Sequence, residues 1–183
     1  MRVAIFGGTF DPIHSAHLIV AREAAEAFLL DRILFIPGGN PPHKATGASF
    51  EDRFHMVELA CSADPRFEPS RIEEGATKSY SINTIERLQT PGQNLFFIIG
   101  ADAFAEIRTW HRWEDVIRGV EFIVVTRPGH DYSSPPEARV HRLDTLALPV
   151  SSSEIRAELS QGRTPAALPP AVAAYVRRHR LYR

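Results

Sequence analysis

Short apolar runs that stop at turn-forming residues alternate along this chain with stretches of helical periodicity. Four runs, at residues 2–6, 32–36, 95–99 and 121–125, are rich in β-branched and aromatic side chains. Continuous apolar runs of this length are typical of strands that are buried on both faces of a parallel sheet. We therefore expect a parallel sheet whose strands are separated by helices.

The stretches between these runs carry apolar side chains on one helical stripe. Residues 16–30 show this spacing after the first strand, and Ser49 precedes a second amphipathic stretch that ends at residue 63. The Ser49 hydroxyl suits a helix N-cap. Prolines and glycines make residues 37–47 a loop. Further helices are predicted at residues 81–88, 151–159 and 171–179.

This alternation predicts the architecture of the whole chain. Strand, helix and strand in succession form a unit whose two strands pair in parallel. The pattern contains no internal repeat and no linker long enough to divide the chain. We expect a doubly wound, Rossmann-like α/β fold with a small helical C-terminal end, in a single domain over residues 1–183.

Composition and charge narrow the classes of function. The 183 residues are 44% apolar and 23% charged, as in ordinary globular proteins, and 21 basic against 22 acidic residues give a net charge of −1. Such a chain has no general attraction for nucleic acid or anionic membranes, so phosphate binding must be local. A single cysteine and the absence of a signal-like or membrane-spanning stretch favour an unexported, cytoplasmic protein.

The densest cluster of candidate chemistry lies at residues 7–17, between the first strand and the first helix. Ligands of open α/β sheets bind at this position, beyond the carboxyl ends of the strands and against helix N-termini. Gly7 and Gly8 let the backbone approach a nucleotide, and His14 and His17 share one face of a first helical turn. Phosphate binding is favoured over two capping histidines, and no metal site is predicted.

Two basic residues elsewhere are further candidates for phosphate binding. Arg156 follows three serines that suit a helix N-terminus, where a cation opposes the helix dipole unless an anion lies between them. Lys44 lies in the loop after the second strand and can reach the same sheet edge, although loop lysines are more often solvated. Asp102, after the third apolar run, can accept hydrogen bonds from ribose hydroxyls, or cap a helix.

The motif G-G-T-F-D-P-I-H-x-x-H closely resembles the signature of bacterial nicotinate-nucleotide adenylyltransferases. The resemblance covers nearly the whole chain, and residues 40–44 together with Trp110 point to the nicotinate-nucleotide branch. Ala16 stands where the family usually has glycine, so its methyl group can crowd the nucleotide. The matching segments, which keep the family's order and spacing, are residues 40–44, 79–84, 99–102, 109–111, 127–129 and 150–156.

The resemblance implies adenylyl transfer from ATP to nicotinate mononucleotide in NAD biosynthesis, by direct in-line attack and with Mg²⁺ carried in on ATP. It implies catalytic roles for His14, His17, Lys44 and Arg156. The ATP contacts that it implies are Gly7, Gly8, Thr9, Phe10, His14, His17, Gly100, Asp102, Arg127, Ser151, Ser152 and Arg156. The implied mononucleotide contacts are Asn40, His43, Lys44, Thr84 and Trp110, the last by ring stacking.

Two alternatives stay open at this point. The first is an adenylyltransferase that acts on nicotinamide mononucleotide, whereas pantetheine phosphate is disfavoured by residues 40–44 and Trp110. The second is a non-catalytic nucleotide-binding regulator on the same fold. Retention of both histidines and Arg156 disfavours a regulator, since a sensor needs no transition-state donors. The sequence also leaves a homo-oligomer open.

Overall fold

A computed structural model describes residues 1–40, 46–127, 129, 131–146 and 150–183. His43 and Lys44, two of the predicted contacts, lie outside these ranges. The strands are β1 (Arg2–Gly8), β2 (Arg32–Pro37), β3 (Phe67–Pro69), β4 (Asn94–Gly100), β5 (Glu121–Thr126) and β6 (Arg139–Asp144). The helices are α1 (Ser15–Ala27), α2 (Phe50–Cys61), α3 (Ser81–Leu88), α4 (Ala101–Ala105), α5 (Trp113–Gly119), α6 (Ser152–Ser160) and α7 (Pro170–His179). A 3₁₀ turn, Ile107–Thr109, follows α4.

The strands form one parallel sheet in the order β3-β2-β1-β4-β5-β6. The chain runs outward from β1 to β3 and then crosses back to β4 on the other side of β1. Loops that leave β1 and β4 therefore diverge, which opens a crevice at the carboxyl ends of the central strands. The doubly wound α/β fold predicted from the sequence is confirmed.

Two apolar layers cover the two faces of the sheet. Successive strand residues point to opposite faces, so Ala4 belongs to the layer under α1, α2 and α7, while Val3 and Ile5 belong to the layer under α3, α4 and α5. The inner strands are almost completely buried, as their apolar sequences predict. None of the helices in the described ranges has the length and apolar character needed to cross a bilayer.

The structure adds elements that the apolar pattern missed. β3 and β6 are the edge strands, which pair on one side only and therefore tolerate short or polar sequences such as R-V-H-R-L-D. The helices α4 and α5, of 5 and 7 residues, are too short to show a helical period.

Helix ends show where local signals succeed and fail. The first helix ends at Ala27 instead of residue 30, because Leu29 adopts a left-handed conformation with φ of 49° and the Leu30 N–H bonds back to the Ala25 carbonyl. The predicted N-cap of α2 is confirmed, since the Ser49 hydroxyl accepts the Asp52 N–H at 3.1 Å.

Candidate active site

Two cavities lie at the carboxyl end of β1, one toward each face of the sheet. The α1-side cavity, of about 710 Å³, is walled by the starts of α1 and α6. The α3-side cavity, of about 340 Å³, is walled by β4, α3 and Trp110. Phe6, Gly8 and Thr9 line both cavities. Two ligands bound side by side would therefore meet above these three residues.

Two helix N-termini converge on the α1-side cavity. His14 is the N-cap of α1 and Ser151 is the N-cap of α6. The Ser152 hydroxyl donates to the Pro12 carbonyl at 2.9 Å and so joins the start of α6 to the loop before α1. Helix N-termini carry unpaired N–H groups and the positive end of the dipole, so two of them together form a site for a multiply charged anion.

The two histidines stack against each other at this cavity. Their ring centroids lie 3.8 Å apart, and the His14 backbone N–H donates to His17 Nδ1 at 3.2 Å. Because Nδ1 accepts this bond, the neutral His17 ring carries its proton on Nε2. Nδ1 of the buried His14 has no hydrogen-bond partner among the described residues, an arrangement that a polar ligand would relieve.

Burial keeps both imidazoles uncharged. It lowers the pKa of His14 to about 4. Burial, reinforced by the neighbouring His14, also holds the pKa of His17 well below its usual range. Near neutral pH the pair therefore acts through neutral hydrogen-bonding groups, and the cationic charge must come from elsewhere.

This burial makes the fold sensitive to acid. The pKa of His14 is about 4 when folded against an ordinary 6.5, so between these values only the unfolded chain binds the proton. The free energy of unfolding should therefore fall by about 3 kcal/mol from this group as the pH drops from 6.5 through 4. Urea unfolding of the wild type and of His14→Gln checks this. The wild type should lose stability faster than the variant, and parallel curves would contradict the assignment.

Arg156 supplies permanent positive charge at the α1-side cavity. It lies in the second turn of α6, where Nη1 donates to the Asp11 carbonyl at 2.8 Å and Nη2 to the Ser153 hydroxyl at 3.2 Å. Its side chain is 33% exposed, so further N–H groups can reach a ligand. Among the described lining residues of this cavity, Arg156 is the only Lys or Arg.

The α3-side cavity offers an aromatic surface with polar groups beside it. Trp110 is partly buried and packs edge-on against Phe97 at 5.9 Å. The Thr84 hydroxyl donates to Glu73 Oε1 at 2.7 Å. The Asn40 side chain donates to the Thr77 carbonyl at 2.7 Å, which holds the segment before α3 beside the cavity. A flat ring with polar substituents suits these surroundings.

Most of the described candidate residues are gathered at the two cavities. Asn40, Asp102 and Arg127 are exposed and line neither cavity. The α1-side cavity is lined by Gly8, Thr9, Phe10, His14, His17, Ser151, Ser152 and Arg156. The α3-side cavity is lined by Gly7, Gly8, Thr9, Thr84, Gly100 and Trp110.

Sequence reasoning missed three buried or half-buried charges at the site. The sequence gives no reason to expect a structural role for Asp11, yet this residue is 2% exposed and its carboxylate accepts two backbone N–H groups of the loop between β2 and α2. Arg53, 1% exposed, donates to the carbonyls of Thr9 at 2.7 Å and Gly38 at 2.9 Å, so it ties the ends of β1 and β2 together. The position of Arg53 on the otherwise apolar stripe of α2 was the sequence signal that could have revealed it. Glu73, which had no signal, is the third.

The class of protein follows from this arrangement and from its relatives. The structure combines three features: a glycine pair that ends the first strand, two histidines at the start of the first helix, and the strand order 3-2-1-4-5-6. Residues 5–158 match the family model described as cytidylyltransferase-like. The chain belongs to this cytidylyltransferase-like class.

Curated relatives identify the branch. The probable nicotinate-nucleotide adenylyltransferase of Solibacter usitatus is 60% identical, and that of a Thermus thermophilus strain is 40% identical, each over the full length of both chains. The solved nicotinic acid mononucleotide adenylyltransferase of Plasmodium falciparum, complexed with NaAD, shares the fold with a TM-score of 0.81 and 20% identity, over 99% of this chain and 97% of that one. The chain is a member of the nicotinate-nucleotide adenylyltransferase family.

Proposed function

We propose that this chain, acting as one domain, transfers the adenylyl group of ATP to nicotinate mononucleotide, in NAD biosynthesis. The products are nicotinate adenine dinucleotide and pyrophosphate. The observation that carries this proposal is the pair of cavities that meet above Gly8 and Thr9. The first is built from anion-binding groups that suit a triphosphate, and the second has an aromatic wall that suits a pyridine ring. The phosphates of the two substrates would then lie next to each other.

The α1-side cavity is proposed to hold ATP. Backbone N–H groups at the starts of α1 and α6, the His17 Nε2–H group and the Arg156 guanidinium would surround the phosphates. Arg156 is assigned to the β- and γ-phosphates, where it neutralises the charge that builds on departing pyrophosphate. Lys44 is proposed as a second cation. The remaining proposed ATP contacts are Gly7, Gly8, Thr9, Phe10, His14, Gly100, Asp102, Arg127, Ser151 and Ser152.

The reaction proposed here needs no covalent intermediate. A phosphate oxygen of the mononucleotide attacks the α-phosphorus of ATP, and the bond to the bridging oxygen of pyrophosphate breaks. The protein's contribution is to hold both phosphates in line and to stabilise the spreading negative charge. Neutral histidines suit this task because they donate hydrogen bonds without repelling the neighbouring guanidinium.

The α3-side cavity is proposed to hold the mononucleotide. Trp110 offers its ring for stacking on the pyridine, which contributes roughly 1–3 kcal/mol of binding free energy. Thr84, Asn40, His43 and Lys44 are the other proposed contacts. Asn40 would act through the segment that it anchors before α3.

Mg²⁺ is proposed to arrive with ATP. In the described ranges no group of three or more His, Cys, Asp or Glu side chains is placed to hold a metal ion. The polar groups that line the α1-side cavity are imidazoles, a guanidinium and hydroxyls, which suit the phosphates themselves, and its one described carboxylate, Asp11, already accepts three hydrogen bonds. Mg²⁺ bound to phosphate oxygens and water fits such a cavity, where it would neutralise charge and orient the triphosphate.

We propose that the reaction takes place in the cytoplasm, since the chain has a single cysteine, Cys61, and so no intrachain disulfide that an oxidising compartment would have to maintain. Cys61 is buried, and burial raises the pKa of its thiol to about 12. Such a thiol is inert to oxidation and disulfide exchange under ordinary conditions.

One contact favours nicotinamide mononucleotide as a second candidate substrate. The Thr84 hydroxyl gives its proton to Glu73, so its oxygen is left to accept a hydrogen bond. An accepting oxygen beside a carboxylate suits a carboxamide N–H, a donor that the nicotinate carboxylate lacks. The pyridine substituent is therefore the part of the substrate that most needs testing.

The proposal is tested by pyrophosphate release from ATP and Mg²⁺ with each mononucleotide. Because the curated relatives are named for the nicotinate nucleotide, we expect kcat/KM for the nicotinate form to exceed that for the nicotinamide form by about tenfold or more. Equal values would instead establish dual specificity. Arg156→Ala controls for contaminating activity.

An absence of turnover with both mononucleotides, despite ATP binding, would overturn the proposal in favour of a nucleotide-binding regulator. Ala16→Gly would then test whether the methyl group at the usual glycine blocks a productive ATP pose.

A further inference from the structure

A tyrosine far along the chain reaches the wall of the α1-side cavity. Tyr182 Oη donates to Asp11 Oδ1 at 2.7 Å. The same carboxylate accepts the backbone N–H of Ala48 at 3.1 Å on Oδ1 and that of Gly47 at 2.6 Å on Oδ2. Asp11 is 2% exposed. The negative charge of Asp11 is thus held by three neutral donors in the described part of the chain.

Arg156 lies beside this carboxylate without a direct bond to it. Nη1 of Arg156 is 3.9 Å from Asp11 Oδ2, beyond hydrogen-bond distance, and donates instead to the Asp11 backbone carbonyl at 2.8 Å. Gly47 packs between the two side chains. A Cβ added to it would lie 3.1 Å from the Tyr182 ring and 3.3 Å from Arg156 Cδ. Tyr182, Asp11 and Arg156 therefore share one packed contact.

The chain adopts an unusual path to bring Tyr182 there. Arg180, the C-cap of α7, has φ of 54°, and the Leu181 N–H bonds back to the Val176 carbonyl at 3.1 Å. Tyr182 itself has φ of 63°. Two non-glycine residues in the left-handed region cost free energy that surrounding contacts must offset. The ring packs against the core, and the hydroxyl lies on Asp11.

Without the Tyr182 hydroxyl, Asp11 would compete for Arg156. Loss of the hydrogen bond to Oδ1 would leave the carboxylate with only two backbone donors, so its negative charge would attract the guanidinium more strongly. Nη1 of Arg156 would need to move only about 1 Å toward Oδ2 to form a charge-assisted hydrogen bond. That bond would occupy N–H groups of Arg156 and cancel its charge at the cavity. With the hydroxyl in place, three donors share the negative charge of the carboxylate, and the guanidinium lines the cavity.

We propose that Tyr182 is a positioning residue for the triphosphate, which keeps the Arg156 guanidinium available by satisfying the Asp11 carboxylate with a neutral donor. This inference rests on the proposed function, in which Arg156 binds the phosphates of ATP. In the absence of the hydroxyl, the protein divides between a form with Arg156 captured by Asp11 and a form with Arg156 free. The apparent affinity for ATP is then lowered in proportion to the fraction of the protein in which Arg156 is free.

Tyr182→Phe tests this role because it removes the hydroxyl alone. KM for ATP should rise about tenfold, while kcat at saturating ATP and KM for the mononucleotide change less than about twofold, since bound ATP reclaims Arg156. Tyr175→Phe is the matched control. Tyr175 also donates to a carboxylate, Asp52 Oδ1 at 2.9 Å, but lines neither cavity. If Tyr182 served only in packing, Tyr182→Phe would not raise KM for ATP selectively over KM for the mononucleotide. Equal values of KM for ATP in the wild type and Tyr182→Phe would overturn the proposal.

Calorimetric ATP binding separates this inference from the proposed function. A wild-type protein that binds ATP but releases no pyrophosphate with either mononucleotide would defeat the proposed function. The ratio of the ATP affinities of the wild type and Tyr182→Phe would still test the role of the tyrosine. In an Arg156→Ala background, Tyr182→Phe should change ATP affinity less than about twofold, because it acts through Arg156. A tenfold loss that persists in that background would overturn the positioning role.

Discussion

Replacing Arg156 with alanine is expected to lower kcat/KM for adenylyl transfer by about two to four orders of magnitude without unfolding the protein. The guanidinium is the permanent positive charge among the described residues of the α1-side cavity, and negative charge grows on the departing pyrophosphate. Its loss leaves the Asp11 carboxylate with three donors, so stability should change little. Steady-state pyrophosphate release and thermal unfolding measure the two effects.

Arg163→Ala is the appropriate control for this variant. Arg163 is an exposed cation just beyond the same helix, and it lines neither cavity. Its removal changes the net charge equally but should leave kcat/KM within about twofold of the wild type. Near-normal turnover by Arg156→Ala would remove Arg156 from the proposed mechanism.

His17→Ala is expected to lower kcat by about two to three orders of magnitude. The hydrogen bond from His14 N–H to Nδ1 presets the His17 tautomer, so the ring presents a neutral Nε2–H donor that needs no reorganisation as charge develops. Alanine removes this donor and also frees the His14 N–H group. The effect should therefore fall mainly on kcat, with KM for ATP changing less, and steady-state kinetics resolve the two.

His55→Ala controls for the loss of an imidazole as such. His55 lies on the exposed face of α2, bonded to Glu58, and lines neither cavity. If His17→Ala raised KM for ATP and left kcat intact, His17 would be a ground-state binding group and not a transition-state donor.

The inner part of the fold could be predicted because burial on both faces demands continuous apolar sequence. The four central strands and the long helices follow from that demand. β3 and β6 were missed since an edge strand pairs on one side only, and R-V-H-R-L-D satisfies an edge position while resembling a loop. The strand order also lies beyond any local pattern, as it depends on which side of β1 the chain crosses to.

The candidate site divides in a similar way. Gly8, His14 and His17 lie in one strand-to-helix turn, so the motif alone places them together. The contact between Tyr182 and Asp11 spans 171 positions, and the local sequence around neither residue predicts it. Glu73 likewise follows a short edge strand, and its bond to Thr84 emerges only when α3 packs beside that segment.

The division of the site by the sheet also constrains inhibitors. The two cavities open toward opposite faces and meet only above β1, so a molecule that occupies both must bend over the sheet edge. In the proposed assignment of one substrate to each cavity, a compound confined to one side would compete with one substrate only. A compound that links two such groups binds more tightly only if its linker can follow that bend, so the shape of the linker matters more than its length.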